Sequence, residues 1–202
     1  MTVPEAELRR TEHGLVPEGD GWFVLNAREA RWLESERLGM YCGFEDEPRF
    51  AQLGINLNVL GPGQPMSMYH WEADQEDFLV LSGEALLIVE GEERPLRQWD
   101  FVHCPPRTAH VIVGAGDRAA VILAVGARVH STGDEWGSYT VDEAAHRHGA
   151  GVSEETTKPQ EARRSSAPRR SSASSGAASN ATGIRSCWLG ALEAARRARI
   201  AS

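Results

Sequence analysis

A chain of 202 residues with 41% hydrophobic side chains has enough apolar material for one sizeable core. No apolar run is long enough to cross a bilayer, and the N-terminal MTVPEAELRR lacks a signal peptide's apolar stretch, so a cytoplasmic protein is expected and a membrane partner is not. The net charge of −8 divides unevenly: residues 1–150 hold 25 acidic and 12 basic side chains, whereas residues 151–202 hold 4 and 9, and an acidic main domain argues against a nucleic-acid partner.

Residues 1–19 are polar, with Pro4, Gly14, Pro17 and Gly19, and read as a loose N-terminal arm. Trp22 to Leu25 is a short apolar run suited to a first strand. Ala27 to Leu33 has the composition of a short helix. From Leu53 the chain alternates, with Leu53, Ile55, Leu57 and Val59 on one face of a half-buried strand. Further short runs follow at Phe78–Leu81, Ala85–Val89, Trp99–His103, His110–Val113 and Ala120–Val125, separated by Gly- and Pro-rich breaks. Short strands at this spacing, without long helical patterns between them, predict an all-β sandwich or barrel over about residues 20–150. Residues 151–202 read as a low-complexity basic tail, largely disordered. A short helix over 186–200, built on Trp188, Leu189, Leu192 and Ile200, is conceivable within it. The three cysteines, Cys42, Cys104 and Cys187, form no CxxC pair and read as reduced thiols rather than a disulfide framework.

The chemistry gathers in two places. In Ser67-Met-Tyr-His-Trp-Glu-Ala-Asp-Gln-Glu76, His70 and Glu72 stand at i and i+2, on the same face of an extended strand, and Glu76 leads into the next apolar run. In Pro105-Pro-Arg-Thr-Ala-His110 a proline-rich turn delivers His110 to the start of another strand. Two imidazoles with one or two carboxylates make a mixed N/O ligand set, suited to a divalent ion such as Mn, Fe, Ni or Zn. Taken singly, each residue also has a structural reading as a hydrogen-bonded histidine or a solvated carboxylate. Tyr69 and Trp71 alternate with the candidate ligands and so face away from them. Cys104 reads as a buried thiol and His103 as a packed or exposed strand residue. Arg107 is either a solvated loop residue or a partner for an anionic substrate.

These two segments resemble the two motifs of the cupin superfamily. Gly61 to Gly83 is similar to the first motif, in which a glycine and a His-x-His pair precede a glutamate and, seven positions on, a second glycine; Glu76 and Gly83 keep that separation. Gly91 to His110 is similar to the second, with a Pro-x-Gly-x-x-His core. The resemblance spans about residues 50–128 and implies a jelly-roll β-barrel with a metal held inside it, often as a dimer. Carried over by position, the metal ligands would be His70, Glu72, Glu76 and His110. The chain departs from the pattern twice. Glu72 replaces the second histidine of the pair, either as an oxygen ligand or as a group that orients a ligand, and Arg107 replaces the glycine of the second motif.

Two functions follow as alternatives. One is a metal-dependent enzyme of oxygenase, isomerase or lyase type on a small polar substrate. The other is a non-catalytic cupin that binds or senses a small ligand, with or without metal.

Overall fold

The computed structural model describes residues 2–35, 37–130 and 135–165. Residues 166–202, with Cys187 and the conceivable helix over 186–200, lie outside the described residues.

Eleven strands build two facing antiparallel sheets. The larger is formed by β3 (Trp32–Ser35), β4 (Gly39–Gly43), β5 (Leu53–Leu60), β7 (Glu76–Ser82), β10 (Phe101–Cys104) and β12 (Ala120–Ala127), in the order β10-β7-β12-β5-β4-β3. The smaller holds β6 (His70–Glu72), β8 (Glu84–Val89), β9 (Glu92–Arg97), β11 (His110–Ala115) and β13 (Gly137–Tyr139), in the order β13-β6-β11-β8-β9. The expected short runs thus become strands. Between the sheets lies an apolar core that includes Leu60, Phe78, Val80, Leu87, Ile112 and Ile122. Gly83, where the first motif ends, has φ 77° and a Cβ there would lie 2.7 Å from the Ala119 carbonyl, so the β7–β8 turn closes only around a glycine.

Both outer faces are also covered. On the smaller sheet, Ile88, Val111 and Val113 pack under Ala144 and Ala145 of helix α1 (Glu143–Arg147), whose first turn is capped by the Asp142 carboxylate accepting from the Ala145 N–H. On the larger sheet, Leu57 and Leu123 pack under Leu25, Ala27, Ala30 and Trp32. This decides the facing of β5. Leu57 is the register partner of Leu123 on the outer face, whereas Asn56 and Asn58 pair with the core residues Ala124 and Ile122. The apolar face of β5 therefore points away from the barrel interior, and two asparagines point into it.

Four sequence expectations need correction. The N-terminal arm is a hairpin of β1 (Glu7–Thr11) and β2 (Gly14–Glu18), stitched to the following segment by Leu15 and Arg31 backbone bonds, with Val16 buried. Trp22 makes only an isolated bridge to Glu5, and Trp22–Leu25 forms no strand. The helix expected over Ala27–Leu33 is a single turn held by the Asn26 carbonyl and carboxamide, followed by β3, because Ala30 and Trp32 gain more by covering the outer sheet than a short helix would offer. At the other end, residues 151–165 belong to the folded unit rather than to a disordered tail. Val152, and Ala162 of helix α2 (Pro159–Ser165), bury against Met68, and Thr156 exchanges backbone hydrogen bonds with Tyr139.

Candidate metal centre

His70 and His110 are register partners on the adjacent strands β6 and β11, so their side chains leave the same face of the smaller sheet side by side. Glu76 opens β7 on the opposite sheet, with Phe78 and Val80 continuing its inward face. Together the three bring ligand atoms within 4.8 Å of one another where the two sheets meet. The His110 side chain is 1% exposed, that of His70 8% and that of Glu76 15%.

Each imidazole is held in the same way. The Nδ1–H of His70 donates to the Met68 carbonyl at 2.8 Å, and that of His110 donates to the Thr108 carbonyl at 2.9 Å. Both anchors lie two residues upstream, so the backbone holds each ring by its Nδ1–H and turns each Nε2 toward the centre. There the polar accounting fails. His110 Nε2 and Glu76 Oε2 are buried without a hydrogen-bond partner, although they stand 3.2 Å apart, and Glu76 Oε2 is 3.7 Å from His70 Nε2. Unpaired buried groups are expensive, and several converging on one point need a further occupant. Two imidazole nitrogens and a carboxylate oxygen fit a divalent first-row ion.

The electrostatics agree. Burial pushes the His110 pKa down, but the adjacent Cys104 and Glu76 side chains outweigh it, and the value is pushed up to about 10. Burial pushes Glu76 up, yet His110 and His70 hold its carboxyl below the usual range. A buried carboxylate thus already holds positive charge at the place where an ion would supply it.

Glu72 is near His70 but is not one of the three residues whose ligand atoms all lie within 4.8 Å of one another. Its Oε1 is 3.6 Å from His70 Nε2, and its side chain is 29% exposed. Arg107 has a φ of 70°, the left-handed region that a glycine enters without strain, and its guanidinium lies 5.2 Å over the Trp71 ring while its N–H donates to the Glu72 carbonyl. It is therefore a staple on β6, with its charge on an aromatic face. Tyr69 is buried beneath α1, on the far side of the sheet from the site. His103 faces outward to Asp77 at 2.7 Å. Cys104 is buried in the interior, opposite Glu76 in register.

Sequence reasoning missed Trp136 and Tyr139. Their rings lie 6.1 and 5.6 Å from the His70 ring and 5.3 Å from each other. It also missed Asp74, whose buried carboxylate accepts from both the backbone N–H and the ring of His130 at 2.7 Å. No periodic signal marks these positions; the pairing of β13 with β6 is what brings Trp136 and Tyr139 beside His70. A separate cleft of about 230 Å³ lies around Arg31, Tyr41, Arg49 and Arg128, but Asp46, Glu47 and Glu45 pair with its three guanidinium groups.

The family model for the cupin domain matches residues 56–126, the stretch that carries the whole triad. The chain carries a cupin domain over these residues. Among solved structures, this cupin is similar to a sugar phosphate isomerase of the cupin superfamily from Silicibacter pomeroyi, with 29% identity over 45% of this chain and 59% of that one, and a TM-score of 0.41. It is similar to a Cupin 2 conserved barrel domain protein from Salinispora arenicola, with 22% identity over 55% and 92% of the two chains and a TM-score of 0.46. It is also similar to the polyketide cyclase RemF from Streptomyces resistomycificus, with 14% identity over 52% and 78% and a TM-score of 0.45. The cupin thus spans about three fifths of the isomerase's length. No curated protein matches it. Among the described residues no helix is long and apolar enough to cross a membrane.

Proposed function

We propose that this cupin binds a divalent metal ion through His70, Glu76 and His110 and acts as a metal-dependent enzyme on a small polar molecule. The observation that carries the reading is the pair of buried, unpartnered atoms, His110 Nε2 and Glu76 Oε2, facing the same point as His70 Nε2. An ion held there supplies Lewis acidity toward an oxygen-bearing ligand. Among the described residues three protein atoms converge, which leaves coordination positions for that ligand.

The chain's own residues divide the remaining work. The Met68 and Thr108 carbonyls accept from the two Nδ1–H groups and keep each Nε2 aimed at the centre. Phe78, with its ring 5.2 Å from that of His110, seals the apolar side against water. Glu72, part-exposed beside His70, is placed to accept a proton from a ligand rather than to complete the metal sphere.

Elemental analysis of protein purified without chelator tests the reading. Near-stoichiometric Mn, Fe, Ni or Zn in the wild type, lost in both His70→Ala and His110→Ala, is the expected result. Metal content unchanged in both variants removes the assignment.

A further inference from the structure

Strand register extends the site by one residue. Tyr139 on β13 is the partner of His70 on β6, which is in turn the partner of His110 on β11. Partners across an antiparallel ladder share a face, so Tyr139, His70 and His110 form one row on the inner side of the smaller sheet. The Tyr139 ring lies 5.6 Å from the His70 ring and packs edge-on against Trp136, whose indole N–H is fixed on the Thr157 carbonyl at 3.0 Å. The phenol is therefore held in place. Among the described residues its hydroxyl has no hydrogen-bond partner, unlike that of Tyr69, which accepts from the Gly91 N–H. Burial pushes the Tyr139 phenol up, Arg163 draws it down, and Glu72 and Glu76 push it up again, so the group lies within the field of both carboxylates at the site.

We infer that Tyr139 is a ligand-contacting residue, whose phenolic O–H donates a hydrogen bond to an oxygen of the molecule that occupies the open positions of the metal. With Glu72 as an acceptor on the same rim, the pair fits a small chelating oxygen ligand that offers both an anionic oxygen and a hydroxyl or N–H group. This inference rests on the metal reading above.

Acetohydroxamate, a small chelator with both features, is the probe. Its binding to the cobalt(II)-loaded full chain is followed by the change in the cobalt d–d spectrum, for the wild type and for Tyr139→Phe, with cobalt affinity and Tm measured on both. The expected result is acetohydroxamate binding about tenfold weaker in the variant, the loss of one hydrogen bond to a charged ligand, with cobalt affinity and Tm unchanged. Equal acetohydroxamate affinity in the two proteins, with cobalt bound in both, overturns the role of Tyr139 and leaves the metal site standing. No cobalt bound by the wild type overturns both. A Tyr139→Phe protein that loses cobalt together with acetohydroxamate assigns the phenol to the metal sphere and overturns the contact.

Discussion

The two ends of the barrel interior are built on the same strands and obey opposite rules. On β7, the inward positions run Glu76, Phe78, Val80; on β11 they run His110, Ile112. At the Phe78 end the inward side chains of these two strands are apolar and buried, and the burial of each contributes stability. One step along the same strands, the Glu76 end leaves a carboxylate oxygen and an imidazole nitrogen without partners. Rigid, well-packed strands are what allow an unsatisfied cluster to persist, because the polar atoms cannot relax toward one another without disrupting the core beside them. The apolar end stabilises the fold, and the polar end uses that stability.

Substitutions at each end should separate the two roles. Phe78→Ala attacks the apolar end and is expected to lower stability by about 3–5 kcal/mol, read as a fall in the denaturation midpoint. Breaking the ion pair outside both ends comes next. The Arg128 and Glu45 side chains are 18% and 11% exposed, and Glu45→Gln leaves the guanidinium without its counter-charge, at a loss of about 3 kcal/mol at neutral pH. Burial raises the Glu45 pKa, but bonds from Arg128 and the Phe50 N–H outweigh it and hold the carboxyl below its usual range. A carboxylate depressed in this way stabilises the fold above its unfolded pKa, and the contribution disappears as pH falls through the folded value. The gap between wild type and Glu45→Gln should therefore close on acidification. A constant gap from neutral to acid pH would show that the pair does not carry it.

At the polar end the effect appears only with metal. The wild type should gain about 2.7 kcal/mol at a metal concentration one hundred times its Kd, seen as a rise in Tm, and His110→Ala should gain nothing. A variant that gains as much as the wild type would place the metal elsewhere. The smallest effect concerns Arg107. Arg107→Gly and Arg107→Ala both lose the Trp71 stack, but only glycine relieves the φ of 70°, so the glycine variant should be more stable than the alanine variant by about 1 kcal/mol. Equal stability would mean that the loop relaxes when the side chain is cut back.

Much of this was legible in the sequence. Short apolar runs between glycine and proline breaks gave the all-β class. The resemblance to the two cupin motifs nominated His70, Glu72, Glu76 and His110, and the ligand atoms of three of these four, all but Glu72, converge. Glu72 shares the His70 face by strand alternation, and that alone could not say whether its carboxylate reaches the centre. The N-terminal segment was read as an arm and a short helix because local composition carries no information about the outer sheet face it covers. The same holds for residues 151–165, where two small buried side chains, Val152 and Ala162, do the anchoring.

What the sequence determines by itself is local: which residues alternate, where turns must fall, and which side chains have the chemistry of a ligand. Only the tertiary structure decided which face of each strand looks inward. On β5, alternation separates Leu53, Ile55, Leu57 and Val59 from Asn56 and Asn58. Both faces of the larger sheet are covered, so an apolar stripe no longer marks the interior, and the asparagines point into the barrel. The row Tyr139, His70, His110 likewise joins residues 69 and 40 positions apart through hydrogen-bonded register, which depends on how separate strands meet and leaves no trace in the spacing of any one of them.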